Sequence, residues 1–574
     1  MQSSIMYIKC LSFIFFVVAL LFSPLFAQHP PSLLPGFPII IDSLNFAASQ
    51  PVLADLDEDG KEDIIVSKNS PPFLIFAYNI NGQVLDGWPQ PVNQGTFALA
   101  AGDVDGDGHT DVVARTTYSI YAFNRFGNLM PGFPQRFATA WDNLGRRKMA
   151  LYDLHNHNTL DIITATYNRV LVYHSDGSLH PGWPRNLPGK NALYPTVGDL
   201  NLDGEAEIVI CSYRTNTQTR NDSGWIFVLS QDGNDLPGWP KLLDSNYTLF
   251  NSASLANTND DDSLEIIIAS NHHITDGTSI SKISIYSPSG ILLKQWYNPR
   301  PPDYIAFGDI AIGDINRNSS LELAVSDRLY NTYLFDTDGE PFPGWPQFIE
   351  GHAYFPPILA DINNDSIPEL FMGYFASPQD TGKYYVFNVS GQQLPCSPFK
   401  VYGNTGVDVP IFSDMDNNGS MEMVFISAIL DGASGYALSA YSFPGAQFTK
   451  EGSPWPQLEH DRHNTFQYGY IPSDNVVSVP SFERTPLQFS LLQNYPNPFN
   501  PKTAIGFSLL AVSNVTLKVY DILGKEVATL IHSRLMDAGK HEVNFDGSDV
   551  PSGIYYYRLT AGKFTETKKF VVVR

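Results

Sequence analysis

From residue 50 onward the chain alternates short apolar runs with acidic or glycine-rich breaks. The runs at 64–66, 112–114, 208–210 and 266–268 are brief and β-branched, as in buried strands, and no stretch of useful length carries a helical period. One acidic segment precedes each run and recurs eight times, beginning at Asp55, Asp103, Asp153, Asp199, Asn257, Asp314, Asp361 and Asp414. The period of about 50 residues is that of a propeller blade.

Each copy is followed by a turn glycine, at Gly82, Gly127, Gly177, Gly233, Gly290, Gly339, Gly391 and Gly445. Beyond most of these lies a proline-flanked aromatic: Gly87-Trp88-Pro89, Gly132-Phe133-Pro134, Gly182-Trp183-Pro184, Gly238-Trp239-Pro240 and Gly344-Trp345-Pro346. Proline suits an outer edge strand, where a missing N–H costs little. One repeat therefore reads as strand A, acidic loop, strand B, strand C, glycine turn and strand D. The expected fold is all-β, a β-propeller of eight repeats closing as seven or eight blades across residues 33–468. An extra Pro35-Gly36-Phe37-Pro38 precedes the first loop and Pro454-Trp455-Pro456 follows the last, so a terminal strand is expected to complete or cover the closing blade.

At both ends the pattern changes. Residues 1–27 carry Lys9, an apolar run and then small residues near Ser23 and Ala27, the layout of a cleaved signal peptide. The run is short for a membrane span and no later segment is apolar enough to cross, so the processed chain is not expected to be an integral membrane protein. Residues 469–486 read as a linker. Residues 487–574 turn to alternating strands such as 515–520 and 553–559, expected to form a small immunoglobulin-like β-sandwich.

The balance of 59 acidic against 35 basic residues, a net charge of −24, argues against nucleic acid and anionic membranes as partners and in favour of cations. Past the signal only Cys211 and Cys396 remain, too few for a disulfide framework. The acidic segments set oxygen-bearing side chains at positions one, three, five and nine around a tight turn, which suits the hard-oxygen shell of Ca2+. The candidate ligands are Asp55, Asp57, Asp59 and Asp63; Asp103, Asp105, Asp107 and Asp111; Asp199, Asn201, Asp203 and Glu207; Asn257, Asn259, Asp261 and Glu265; Asp314, Asn316, Asn318 and Glu322; Asp361, Asn363, Asp365 and Glu369; and Asp414, Asp416, Asn418 and Glu422. Affinity is expected to fall where asparagine replaces aspartate. The third copy places His155 and His157 where calcium wants acids. It is expected to be empty or held by hydrogen bonds, with a transition-metal site as the alternative.

Loops such as Gly102-Asp103-Val104-Asp105-Gly106-Asp107-Gly108-His109-Thr110-Asp111 resemble the FG-GAP and VCBS repeats of integrin-α-type propellers. The resemblance implies structural calcium and roles in adhesion or glycan binding, and in some members a platform for polysaccharide lyases. The tail is similar to the type A sorting domain of type IX secretion at Leu492-Gln493-Asn494-Tyr495-Pro496-Asn497-Pro498-Phe499, at Val519-Tyr520-Asp521-Ile522-Leu523-Gly524-Lys525 and at Pro551-Ser552-Gly553-Ile554-Tyr555. That resemblance implies the type IX machinery as a partner through residues 487–574. It also implies an extracellular or outer-membrane surface location in a Bacteroidota-type bacterium.

In a four-stranded antiparallel blade the A-to-B loops share a face with the C-to-D turns, and the B-to-C and D-to-A connections line the other. The longest insertions fall in B-to-C connections, at 214–224, 271–281, 375–383 and 427–435. Variable loops on a rigid scaffold are where recognition sits, so a glycan or protein ligand is expected on the face opposite the calcium loops. Trp141, Tyr247 and Tyr304 are candidate stacking platforms there, or plugs at blade junctions. The recurring motif tryptophans and Trp455 read as packing, and His460-Asp461-Arg462-His463 as closure hydrogen bonds. No catalytic motif is recognised. The sequence favours a secreted calcium-binding recognition protein, with a calcium-dependent polysaccharide-degrading enzyme and a passive surface component as alternatives.

Overall fold

A computed structural model describes residues 30–42, 50–137, 149–188, 191–214, 223–244, 247–249, 251–259, 261, 263–273, 279–298, 307–327, 330–349, 357–374, 382–404, 409–429, 435–450, 452–458, 460–472, 490–491, 494, 497, 499, 501–509, 513–536, 539–548, 550–561 and 564–573. The signal peptide, most of the linker, Trp141, Tyr304 and the cores of the four insertions lie outside the described residues. The chain forms two compact units, residues 1–475 and 476–574. Among the described residues no helix is long and apolar enough to cross a membrane, and Cys211 and Cys396 are free thiols.

The first unit is a ring of eight antiparallel sheets, each following one acidic repeat. In blade 1 the strands are Val52–Ala54, Asp63–Lys68, Leu74–Tyr78 and Gln90–Pro91. Blades 2 to 7 repeat this order over 96–136, 149–186, 191–242, 247–297, 307–348 and 358–401. Ile64, Ile65 and Val66 are fully buried because a central blade strand is covered on both faces by its neighbours, which explains why the B runs are apolar throughout. Blade 8 takes Ile411–Ser413, Ser420–Ile429 and Gly435–Gln447 from the end of the propeller sequence. Its outer strands, Ser32–Leu33 and Ile39–Asp42, come from the beginning and pair with Gly435–Gln447. Ring closure is thus a pairing of the two sequence ends, and it assigns Phe37-Pro38 to the missing D position of blade 8.

Neighbouring blades are clasped at the outer motif. Trp88, Trp183, Trp239 and Trp345 each donate Nε1–H to a turn carbonyl of the next blade, on Arg125, Gln231, Pro288 and Val389, at 3.1, 2.9, 2.7 and 2.8 Å. The motif glycine makes this contact sterically feasible. At Gly132, with φ of 84°, a Cβ would fall 1.8 Å from the Asp176 carbonyl oxygen of blade 3, so no side chain fits there.

Closure hydrogen bonds were expected from residues 460–463; the structure extends that role to a plug spanning residues 452–470. The first strand of each blade is an inner edge with N–H groups aimed at the channel, and such groups cost free energy if left unpaired away from water. In six of the eight blades a plug carbonyl accepts one of them. Ala101 donates to Arg462 at 3.2 Å, Leu151 to His463 at 2.9 Å, Val197 to Thr465 at 3.2 Å, Leu255 to Phe466 at 3.0 Å, Leu359 to Trp455 at 3.1 Å and Phe412 to Pro456 at 3.0 Å. Trp455 is fully buried and donates its own Nε1–H to the Leu458 carbonyl at 3.3 Å. Tyr247 is likewise buried, against the ring of His272 and under the Lys282 ammonium, so it plugs a junction rather than offering a platform.

The second unit is a sandwich of a three-stranded and a four-stranded antiparallel sheet. Its core is formed by Ile505, Phe507, Val515, Leu517, Val519, Tyr557, Leu559 and Phe570, which alternate along their strands as a half-buried sheet requires.

If the plug holds the ring, Trp455→Ala lowers the stability of the propeller by about 3–5 kcal/mol, the cost of truncating a large buried aromatic. Denaturant unfolding followed by near-ultraviolet circular dichroism measures this. A loss below about 1 kcal/mol, the level of a surface substitution, would show the plug to be passive.

Candidate metal centre

Every acidic segment forms the connection between strands A and B, and one hydrogen bond is common to all of them. The position-nine carboxylate, at the start of the buried B strand, accepts the backbone N–H of position two. The donors and acceptors are Leu56 to Asp63 (2.9 Å), Val104 to Asp111 (3.0 Å), Leu154 to Asp161 (3.2 Å), Leu200 to Glu207 (2.9 Å), Thr258 to Glu265 (2.7 Å), Ile315 to Glu322 (2.7 Å), Ile362 to Glu369 (3.0 Å) and Met415 to Glu422 (3.1 Å). In the seven segments whose position six is described, position one accepts from it, as when Gly60 donates to Asp55 and Gly108 to Asp103, at 3.0 and 2.9 Å. Position four bends into the left-handed region even where it is Glu58, Leu202 or Arg317, with φ of 61°, 57° and 59°. That conformation costs an L-residue roughly 1–2 kcal/mol, so the turn is imposed by the bonds around it.

Burial of the position-nine acids has an electrostatic cost. Loss of water, reinforced by the neighbouring acids, pushes Asp63 up to about 7, Asp111 to about 8 and Glu369 to about 9, with Glu207, Glu322 and Glu422 at about 7. Carboxylates in this condition call for a counter-charge.

The loops differ in how they meet that demand, and the residue at position three decides. In blades 1, 2 and 8 it is an aspartate, and carboxylate oxygens of Asp55, Asp57 and Asp63, of Asp103, Asp105 and Asp111, and of Asp414, Asp416 and Glu422 lie within 4.8 Å of one another. Asp55 Oδ1 is buried without a hydrogen-bond partner. Three hard oxygens this close together, with an unpartnered one in blade 1, form a group able to hold a metal ion. The position-five residues Asp59, Asp107 and Asn418 lie on the rim, accepting backbone N–H groups of Lys61, His109 and Ser420.

In blades 6 and 7 position three is asparagine. Its Oδ1 accepts the position-five N–H, and its amide then donates to the position-nine carboxylate, Asn316 to Glu322 at 2.8 Å and Asn363 to Glu369 at 2.6 Å. In blade 5 the Thr258 and Ser263 hydroxyls donate to Glu265 at 2.9 and 3.2 Å. A donor thus stands where a cation needs an acceptor. Asp199, Asn201, Asp203 and Glu207 of blade 4 keep the loop hydrogen bonds but do not bring three carboxylates together. Blade 3 differs again: His155 Nδ1 and His180 Nε2 approach Asp161 at 3.3 and 2.5 Å. His180, from the C-to-D segment, had no place in the sequence reading. It stands where Leu85, Met130, Leu236, Phe342 and Leu394 stand in other repeats, and that break in the pattern was its signal.

The His460-Asp461 pair is spent on structure. Asp461 accepts His460 Nδ1–H at 3.1 Å and the His463 N–H at 2.8 Å, and also the Thr465 hydroxyl, all inside the plug.

Residues 42–114 match the FG-GAP-like repeat family and residues 493–573 the secretion system C-terminal sorting domain family. No curated protein sequence matches the chain. Among solved structures the chain is similar to the biofilm matrix protein Bap1 of V. cholerae, at 13% identity, 75% of this chain, 94% of that one and a TM-score of 0.40. It is also similar to BamB from Moraxella catarrhalis, at 13% identity, 70% of this chain, 99% of that one and a TM-score of 0.38. The fold itself rests on the eight sheets described above. The chain therefore carries an FG-GAP-like repeat within a β-propeller and ends in a type IX secretion sorting domain, which marks it for export to the surface or exterior of a Bacteroidota-type cell.

Proposed function

We propose that this exported propeller is a glycan-binding surface protein whose loop face is stiffened by Ca2+ in blades 8, 1 and 2 and whose opposite face carries the ligand. The observation behind the binding face is the distribution of exposed aromatics. Among the described residues of the propeller there are five: Tyr118, Phe126, Tyr297, Phe348 and Tyr402, between 36% and 58% exposed. Phe126 lies on the loop face beneath Arg125. The other four belong to B-to-C turns or the ends of D strands, on the opposite face. Tyr297, Phe348 and Tyr402 follow one another on blades 5, 6 and 7, and Phe348 packs edge-on against Tyr330. Exposed rings on neighbouring blades offer flat faces on which sugar rings stack. A recognition role, rather than catalysis, is supported by the structural use of the acid–base pair in the plug.

Calcium that binds only the folded chain stabilises it by about 2.7 kcal/mol per site at a hundredfold excess over Kd. Chelation is expected to lower the melting midpoint, with recovery on adding Ca2+ but not Mg2+. The variant carrying Asp57→Asn, Asp105→Asn and Asp416→Asn, which installs the position-three residue of blades 4 to 7, is expected to fold and to melt at one temperature with and without Ca2+. A wild-type midpoint indifferent to chelation would overturn the calcium reading.

On a polysaccharide array the chain is expected to retain at least one glycan. Replacing Tyr297, Phe348 or Tyr402 by alanine should weaken it about two- to tenfold per ring, the value of an aromatic contact. Undiminished binding in the triple variant would move the site elsewhere. Absence of any bound glycan would overturn the glycan reading in favour of a protein ligand.

A further inference from the structure

We propose that blade 3 holds a transition-metal ion of the zinc class, bound by Asp161, His155 and His180 with His174 as the fourth ligand. The inference rests on three histidines converging upon one buried carboxylate. Asp161 and His180 are each 4% exposed. Ligand atoms of His155, Asp161 and His180 lie within 4.8 Å of one another, and His174 Nδ1 is 4.0 Å from Asp161 Oδ1. Donor atoms held about 2.1 Å from a tetrahedral zinc ion lie about 3.4 Å apart, so shifts of roughly an ångström close the shell around an ion. The His180–Asp161 hydrogen bond is the contact that an ion would replace.

Hydrogen bonding alone does not account for the cluster. His174 is stacked on His180 with ring centroids 3.3 Å apart, and His155 lies on the other side of the group at 4.6 Å from His180. The ring of His174 makes no hydrogen bond among the described residues, yet it is turned toward the carboxylate.

Comparison with the other blades shows that all three positions differ in blade 3. His180 N–H donates to the Val172 carbonyl just as Leu85 does to Ala77, Met130 to Ala122, Leu236 to Val228, Phe342 to Leu334 and Leu394 to Val386, so these residues are structurally equivalent. His174 opens its turn as Asn79, Asn124 and Asn388 open theirs. His155 occupies position three, where blades 1, 2 and 8 have a calcium-type aspartate. One blade has thus exchanged an oxygen ligand, a turn asparagine and a buried apolar residue for three imidazoles, and all three meet at its position-nine acid. Imidazole nitrogens with one carboxylate suit zinc, copper or nickel and are poor ligands for calcium. Blade 3 would then answer the counter-charge demand of its buried acid by a third route.

The test is a Zn2+ titration of the mature chain after chelator treatment and dialysis, with a chromophoric chelator as competitor and Ca2+ present in excess. One saturable site per chain is expected, with Co2+ giving the visible absorption of a tetrahedral nitrogen–oxygen shell. His180→Leu, the residue of blades 1, 4 and 7, should weaken Zn2+ at least about 100-fold, more than loss of an outer partner does. If that variant fails to fold by circular dichroism, His174→Asn serves in its place and should weaken Zn2+ and shift the Co2+ spectrum. Absence of a stoichiometric site, or equal affinity in the folded variant, would overturn the proposal.

Discussion

In each blade one carboxylate is withdrawn from water to fasten the loop between the innermost two strands. Its hydrogen bond to the position-two N–H fixes where strand A ends and strand B begins, and a bond of this charge-assisted kind contributes about 1.5–3 kcal/mol. Position two can then be buried beneath the loop as Leu56, Val104, Ile315 or Met415, each at most 1% exposed. Desolvation is the other side of this arrangement. A carboxylate pushed to about 8 or 9 holds its place only with a donor or a cation beside it. Seven of the eight blades show variations on that requirement: converging carboxylates in blades 8, 1 and 2, histidines in blade 3, and amide or hydroxyl donors in blades 5 to 7.

Seen around the ring, the cation-type loops are contiguous and straddle the closure, where strands from opposite ends of the propeller sequence pair. The Asn417 amide of blade 8 donates to the Gly60 carbonyl in the loop of blade 1, and Glu58 of blade 1 pairs with His109 and, at 3.0 Å, Arg125 of blade 2. Closure depends on long-range pairing that gains nothing from chain continuity, so its entropic cost is greatest. An ion held within each of these loops would stiffen the ring beside the seam where it is weakest, while the plug satisfies the inner edges from within.

Much of this was legible in the sequence because the constraints recur. The eight position-nine acids, the turn glycines and the Gly-Trp-Pro motifs marked the blades, and the surplus motif at Pro35 marked the strand that closes blade 8. Two things were not legible. The plug has no periodic pattern, since backbone carbonyls make its contacts to the inner strands, so only Trp455 and the 460–463 cluster hinted at it. The way the loops differ was also hidden. The sequence predicts weaker affinity where asparagine replaces aspartate, but only the turn geometry shows that the asparagines of blades 6 and 7 present an N–H to the position-nine acid where the aspartates present an oxygen. His174 and His180 lie outside the acidic segment, and only their placement in the blade relates them to Asp161.

The central claim, that position three decides which buried acids are met by a cation, is tested most directly by calcium anomalous scattering from crystals grown with excess Ca2+. The account expects strong peaks among Asp55, Asp57 and Asp63, among Asp103, Asp105 and Asp111, and among Asp414, Asp416 and Glu422, with none beside Asn316 or Asn363. Peaks of equal height in the asparagine loops, or no peak in any loop, would contradict it.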